Sequence, residues 1–235
     1  MPAAEGARPE PVADGARPLP VAEGALPLPV AERAQRVEVP ALEHPVVRLE
    51  PLRSEHAAGL AAAASGPREG HRLAGVPTPE TVAATIAAEL ARAAYWPFAQ
   101  VDAVSGRIVG HTAFLNPRHW PDGRLLAIEI GSTWLHPDAQ GTAINSAAKL
   151  LLMAHAFDML GVERLDIKTD ARNERARAGI LAVGAAFEGV LRSWQPSNAV
   201  GEVGLPRDTA MYAVTRADWP GVRDRLESRI ARKRA

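Results

Sequence analysis

The feature that most constrains this chain is an unbroken progression from Leu125 to Gly161. LLAIEIGSTWL (125–135) reads as a strand, HPDAQGTAIN as a turn of mostly small residues, and SAAKLLLMAHAFDML as a long helix closed by Gly161. The first N–H groups of a helix have no carbonyl partner, and the aligned peptide dipoles leave that end positive. A strand-turn-helix of this kind therefore suits a phosphate or pyrophosphate. Gly141, Ala143 and the other small residues would let the backbone approach the anion, although a plain capping turn has the same outline.

The rest of the chain divides at about residue 44. Residues 7–15 (ARPEPVADG), 16–24 (ARPLPVAEG) and 25–33 (ALPLPVAER) are copies of one nine-residue unit. Two prolines per unit remove ladder donors and fix φ, which argues against a stacked β-helix. Residues 1–44 read as a disordered, partly polyproline-II tail, residues 45–216 as the main domain and 217–235 as a C-terminal helix.

Within the domain, VVRLEPL (46–52) opens as a strand, and Ser54 stands as the N-cap of a short Ala-rich helix. Thr78 and Pro79 suit the start of a second helix reaching about Ala94. PFAQVDAV and RIVGHTAFLN form a hairpin around Ser105-Gly106, with PRHWPDG as the next loop. After the central progression come the strand ERLDIKT, the helix NERARAGILAVG, and the strands AAFEGVLRSW and TAMYAVTR. The last helix puts Val222, Leu226 and Ile230 on one stripe. The order β-α-α-β-β-β-α-β-α-β-β predicts an α/β fold with a mixed central sheet flanked by helices; doubly wound dinucleotide folds alternate more strictly.

Composition excludes several chemistries. There is no cysteine, so no disulfide, thiolate metal site or cysteine nucleophile exists. Formal net charge is zero, which leaves no basic footprint for nucleic acid. The seven histidines show no metal-ligand spacing, and no metal is expected. No run is apolar enough to span a bilayer and the N-terminus does not read as a signal peptide, so a cytoplasmic protein is expected.

The stretch from Trp134 to Gly189 resembles the core of GNAT acetyltransferases and is similar to their RimJ/RimL-type branch. The residues that carry the resemblance are Glu129-Ile130-Gly131, Trp134-Leu135-His136-Pro137, the turn Gln140 to Asn145, and Asn173. It covers roughly residues 46–216. It implies an acyl-CoA-dependent N-acyltransferase, with acetyl-CoA as co-substrate and a primary amine as acceptor: a protein N-terminus, a lysine or a small metabolite. A GNAT-fold module that binds acyl-CoA with little turnover is the alternative. A homodimer through the last strands and helix is compatible with both.

The resemblance places acyl-CoA on Gln140, Gly141, Thr142, Ala143, Ile144 and Asn145, with the backbone of Trp134 and Leu135 along the pantetheine arm. The family loop reads Gln/Arg-x-x-Gly-x-Gly/Ala, so Ala143 and Asn145 depart from both glycine positions. The methyl of Ala143 would sit where the backbone passes the pyrophosphate, and Asn145 could cap the helix. Asn173 should meet the cofactor near its thiol end, or serve as an ordinary N-cap. Lys149 reads as a solvated helix-face lysine that could reach a phosphate.

Acyl transfer to an amine requires deprotonation of the amine, stabilisation of an oxyanion and departure of a thiolate. Glu129 is the candidate base, because alternation with Ile128 and Ile130 turns it away from the core; a salt-bridged strand glutamate is the competing reading. A backbone N–H near Trp134 to His136 is the candidate oxyanion donor. The helix after Asn173 lacks the Tyr or Ser many relatives use as a general acid, leaving water, Ser132 or Thr133. His71, Arg72, Arg118, His119 and Trp120 lie on loops expected to border the acceptor cleft.

Overall fold

The computed structural model describes residues 37–67, 69–202 and 204–234. The repeats at residues 7–33 lie outside these. Part of what the sequence assigned to the tail is structured. Val37 is buried in the main core, the Glu38 carbonyl accepts from His155 Nε2 at 3.0 Å, and β1 (Leu42–His44) pairs with β2 (Val47–Pro51). Two apolar side chains, Val37 and Leu42, pull this segment onto the domain despite its prolines.

After β2 come α1 (Ala57–Ala64) and α2 (Val82–Leu90). The second helix begins later than Thr78, because Thr81 Oγ1 accepts the Thr78 N–H at 2.9 Å and holds residues 78–81 in a turn. Next are β3 (Tyr95–Asp102), β4 (Ile108–His119), β5 (Leu125–Leu135), α3 (Ile144–Ala154), β6 (Arg164–Asp170), α4 (Glu174–Ala182), β7 (Ala186–Pro196), β8 (Pro206–Thr215) and α5 (Trp219–Arg234). The helix α3 continues as a π-type turn over His155–Met159 before Gly161 reverses the chain at φ 72°.

The strands form one eight-stranded sheet in the order β1-β2-β3-β4-β5-β6-β8-β7, as the mixed α/β reading expects. The pair β5 and β6 is parallel and all other pairs are antiparallel. One face carries Phe114, Ile128, Ile130, Leu165 and Tyr212 against α3 and α5, whose Leu152, Met153, Val222 and Leu226 complete the main core. The other face packs Ala99 and Trp134 against α1 and α2 through Leu60, Val82 and Ile86.

Two local features shape the site. Pairing between β5 and β6 stops at Glu129 opposite Asp166, so Ile130–Leu135 and Ile167–Asp170 diverge. On the other side of β5, Ala113 faces Gly131 but His111 faces Trp134, so two residues of β5, Ser132 and Thr133, are set against one of β4, Thr112. The extra residue is taken up near Ser132, whose φ of 50° marks a bulge. A bulge bends its strand, and here it leaves a wedge between β5 and β6. Gly110 pins the bulged region closely, because a Cβ there would stand 2.2 Å from the Trp134 carbonyl oxygen.

Candidate active site

The wedge opens into a cleft of about 760 Å³ whose walls come from β5, β6, the start of α3, α4, α5 and the loops at 70–77 and 195–198. Of the expected loop residues, Gln140, Gly141, Thr142 and Asn145 line it, whereas Ala143 and Ile144 point into the main core. The methyl of Ala143 therefore does not stand in the cleft. Nor is Asn145 the cap: Thr142 Oγ1 accepts the Ile144 N–H at 3.3 Å and donates to the Ala139 carbonyl at 2.7 Å. The buried Oδ1 of Asn145 has no partner.

Among the described residues, the N–H groups of Gly141, Thr142, Ala143, Asn145 and Ser146 meet no carbonyl. They form the donor set that the strand-turn-helix outline suggested. Gly141 takes φ 78°, a conformation that L side chains disfavour, and so supplies the turn into the helix.

Three cations join these donors. Lys149 was expected on a solvated face, but its residue is only 6% exposed and Nζ donates to Thr133 Oγ1 at 2.8 Å. Burial pushes its ammonium down to about 7. The difference arises because the first turns of α3 face the wedge rather than solvent. From α5, Lys233 Nζ donates to the carbonyls of Gly141 and Thr142, the latter at 3.0 Å. One turn earlier, Arg229 lines the cleft with its Nε buried and unpartnered. Burial and the neighbouring Arg229 charge both hold the Lys233 ammonium below its usual range. Sequence reasoning missed this pair, because α5 lies far along the chain; its basic last turn was the available signal.

Trp134 and Leu135 line the cleft. The Leu135 carbonyl accepts from Gln140 Nε2 at 2.9 Å, and Gln140 Oε1 accepts from Arg175. His71 Nε2 lies 2.8 Å from Gln140 Nε2 and 3.1 Å from the same carbonyl. Of the loop residues expected near the acceptor, only His71 lines the cleft; Arg118 instead pairs with Asp166. Asn173 lines the cleft and caps α4, its Oδ1 accepting the Ala176 N–H at 3.0 Å. The cap uses the oxygen and leaves Nδ2 for the cleft, so the two sequence readings are compatible.

Glu129 sits at the apex of the wedge, 4% exposed. Its Oε2 accepts from Asn116 Nδ2 at 2.9 Å and lies 3.0 Å from Lys168 Nζ. A Cβ on Gly131 would come within 3.1 Å of Glu129 Oε1, so the glycine of Glu-Ile-Gly makes room for this carboxylate. Further out, His111 stacks on Trp134 at 6.4 Å, and its Nδ1 donates to the Ser132 carbonyl at 2.9 Å. His111 Nε2 lies 3.0 Å from Glu89 Oε2, in an approach too bent for a hydrogen bond. The other Glu89 oxygen accepts from Tyr95 OH at 3.1 Å. Burial, followed by the Glu89 charge, pushes the Tyr95 phenol above its usual range.

A split parallel pair beside a helix start with unbonded N–H groups, and a buried carboxylate at the apex, is the frame of an N-acetyltransferase. The family model for the acetyltransferase (GNAT) domain matches residues 47–186, and the chain belongs to that family. Among solved structures, a GCN5-related N-acetyltransferase from Brucella melitensis is 27% identical, with a TM-score of 0.72 over 83% of this chain and 86% of that one. A T. thermophilus protein described as an acetyltransferase is 30% identical, with a TM-score of 0.71 over 83% of this chain and 100% of that one. Mycobacterium smegmatis RimJ, solved in complex with CoA-disulfide, shares the fold at 23% identity, with a TM-score of 0.63 over 80% and 92% of the two chains. A comparison with curated proteins found no significant match.

Proposed function

We propose that the cleft transfers an acetyl group from acetyl-CoA to a primary amine on a protein N-terminus, a lysine or a small metabolite, by direct attack on the thioester. The observation that carries this reading is the junction of unbonded N–H groups at Gly141–Ala143, Asn145 and Ser146 with the cations Arg229 and Lys233, which form no ion pair among the described residues. Such a cluster is electrostatically incomplete without a polyanion. The phosphates of CoA match it, and RimJ of M. smegmatis, with the same fold, was solved with CoA-disulfide.

In this reading Gln140, Gly141, Thr142 and Asn145 hold the phosphate end, joined by Lys233 and Arg229. Ala143 contributes its N–H, and Ile144 contributes core packing alone. The edge of β5 at Trp134 and Leu135, which no strand pairs on the β6 side, faces the pantetheine arm, and Asn173 Nδ2 lies toward the thiol end. The amine nitrogen attacks the thioester carbonyl, the C–S bond breaks, and CoA leaves as a thiolate that takes a proton from water. Glu129 takes the proton that the amine nitrogen loses, directly or through water. Asn116 and Lys168 position this carboxylate. The Lys168 contact also favours the second reading, a binding module with little turnover, because Glu129 Oε2 is already engaged by Lys168 and Asn116.

Release of CoA by Glu129→Gln and wild type, measured over an amine panel, separates the two. A fall of two orders of magnitude or more with unchanged acetyl-CoA binding is expected. An unchanged rate removes Glu129 as the base, and binding without release in the wild type favours the module.

A further inference from the structure

We infer that the acceptor is a small amine carrying a carboxylate, and that Arg207 is the residue that anchors it. This rests on the acyl-transfer reading and adds the chemical class of the acceptor. Arg207 begins β8, is 9% exposed and lines the same cleft as Glu129. Among the described residues it forms no ion pair, and its side-chain hydrogen bond is a long one, from Nε to Thr209 Oγ1 at 3.4 Å. Burial holds its guanidinium below its usual range.

The nearby carboxylates are already engaged. Asp170 is bound by Arg172 at 2.8 Å, and Glu129 by Lys168 at 3.0 Å. Both act on Arg207 through space, yet neither is within ion-pair reach. A buried arginine that faces a cleft without an anion is disfavoured unless a ligand supplies one. Its planar fork matches a carboxylate in a bidentate pair.

Sheet register sets Arg207 on the correct side for an acceptor. Glu129 stands opposite Asp166 in the β5–β6 pair, and Asp170 stands opposite Thr209 in the β6–β8 pair. Side chains alternate along a strand, so Glu129, Lys168 and Arg207 share one face of the sheet. That is the face away from Ile128, Ile130 and the main core. An amine near Glu129 and a carboxylate near Arg207 thus lie along one wall.

The opening on this side is bridged. The Val200 N–H donates to the Arg72 carbonyl at 3.0 Å, and a Cβ on Gly75 would meet Asn198 at 3.2 Å. Two loops therefore join across the acceptor end, which suits a small molecule better than the surface of a folded protein.

The test begins with calorimetric binding of acetyl-CoA to the full chain; its absence would remove the acyl-transfer reading itself. Release of CoA is then followed with carboxylate-bearing amines (β-alanine, γ-aminobutyrate, α-amino acids) against their primary amides and an amidated N-terminal peptide. Wild type should favour the carboxylates at least tenfold in kcat/KM. Arg207→Gln should lose that preference through a KM raised about tenfold or more, with the KM for acetyl-CoA unchanged, and Arg207→Lys should restore part of it. Arg207→Glu should shift preference toward diamines. Equal or better use of the amides or the peptide by wild type overturns the inference, as does a preference that survives in Arg207→Gln. If wild type turns over none of the panel, titration of the same amines into the acetyl-CoA-loaded protein decides: carboxylate-selective binding upholds it, and none overturns it.

Discussion

Replacing Lys149 with Met should make the protein more stable, and the gain should depend on pH in a defined way. In the unfolded chain the lysine keeps its proton to about pH 10.5, whereas burial in the fold lowers this to about 7. Each pKa unit corresponds to about 1.4 kcal/mol. The folded state is therefore destabilised by roughly 5 kcal/mol at acid pH and slightly less at pH 7. The sign follows from proton counts. Between pH 7 and 10.5 the unfolded chain binds more protons, so stability rises with pH across that window. The penalty is fully present below it and gone above it. Methionine is of similar length and removes the charge. The substitution also removes the hydrogen bond to Thr133, worth about 1 kcal/mol, though Thr133 Oγ1 keeps Thr112 at 2.8 Å. The net gain at pH 7 is about 3 kcal/mol, within the range seen when buried ions give way to apolar groups. For a domain of this size that is a rise in Tm of roughly 10 °C. Urea denaturation of both proteins at pH 6, 8 and 10 measures it. The difference should be large at pH 6 and shrink by pH 10. A variant no more stable than wild type at pH 6, or a difference independent of pH, would refute the electrostatic argument.

Other consequences are simpler to state. The Arg229→Gln/Lys233→Gln double variant should bind CoA at least tenfold more weakly and with less dependence on salt, while Tm changes little, because the α5 residues that pack the core are Trp219, Val222, Leu226 and Ile230. Unchanged affinity would place the phosphates elsewhere. Gly131→Ala should lower kcat more than it alters acetyl-CoA binding, since its Cβ would crowd Glu129 Oε1 and Leu115; kinetics with both substrates varied reads this directly. Gly110→Ala should destabilise by about 2 kcal/mol or more, because its methyl would collide with the Trp134 backbone. A Tm equal to wild type would show that β4 and β5 can separate there.

The sequence by itself determined the local chemistry of this protein. The span of β5, the small-residue turn, α3 with its glycine stop, and the alternation that turns Glu129 from the core all follow from short-range rules. Those rules act on neighbours in the chain, so the segment at 125–161 carries them whole. They also led to errors wherever a partner came from elsewhere. Residues 37–44 looked like tail until Val37 and Leu42 met the core, and Lys149 looked solvated until α3 was laid against the wedge. Asn145 looked like a cap until the helix began before it, at Ile144. Arg207 was invisible as a site residue, and the basic end of α5 holding Arg229 and Lys233 could not say which part of the fold it would meet. The tertiary structure decided their roles by stopping the β5–β6 ladder at Glu129 and bringing α5 and β8 to its open edge. Burial and like-charge proximity, which set the chemistry of these cations, are properties of the packed fold and not of the chain order.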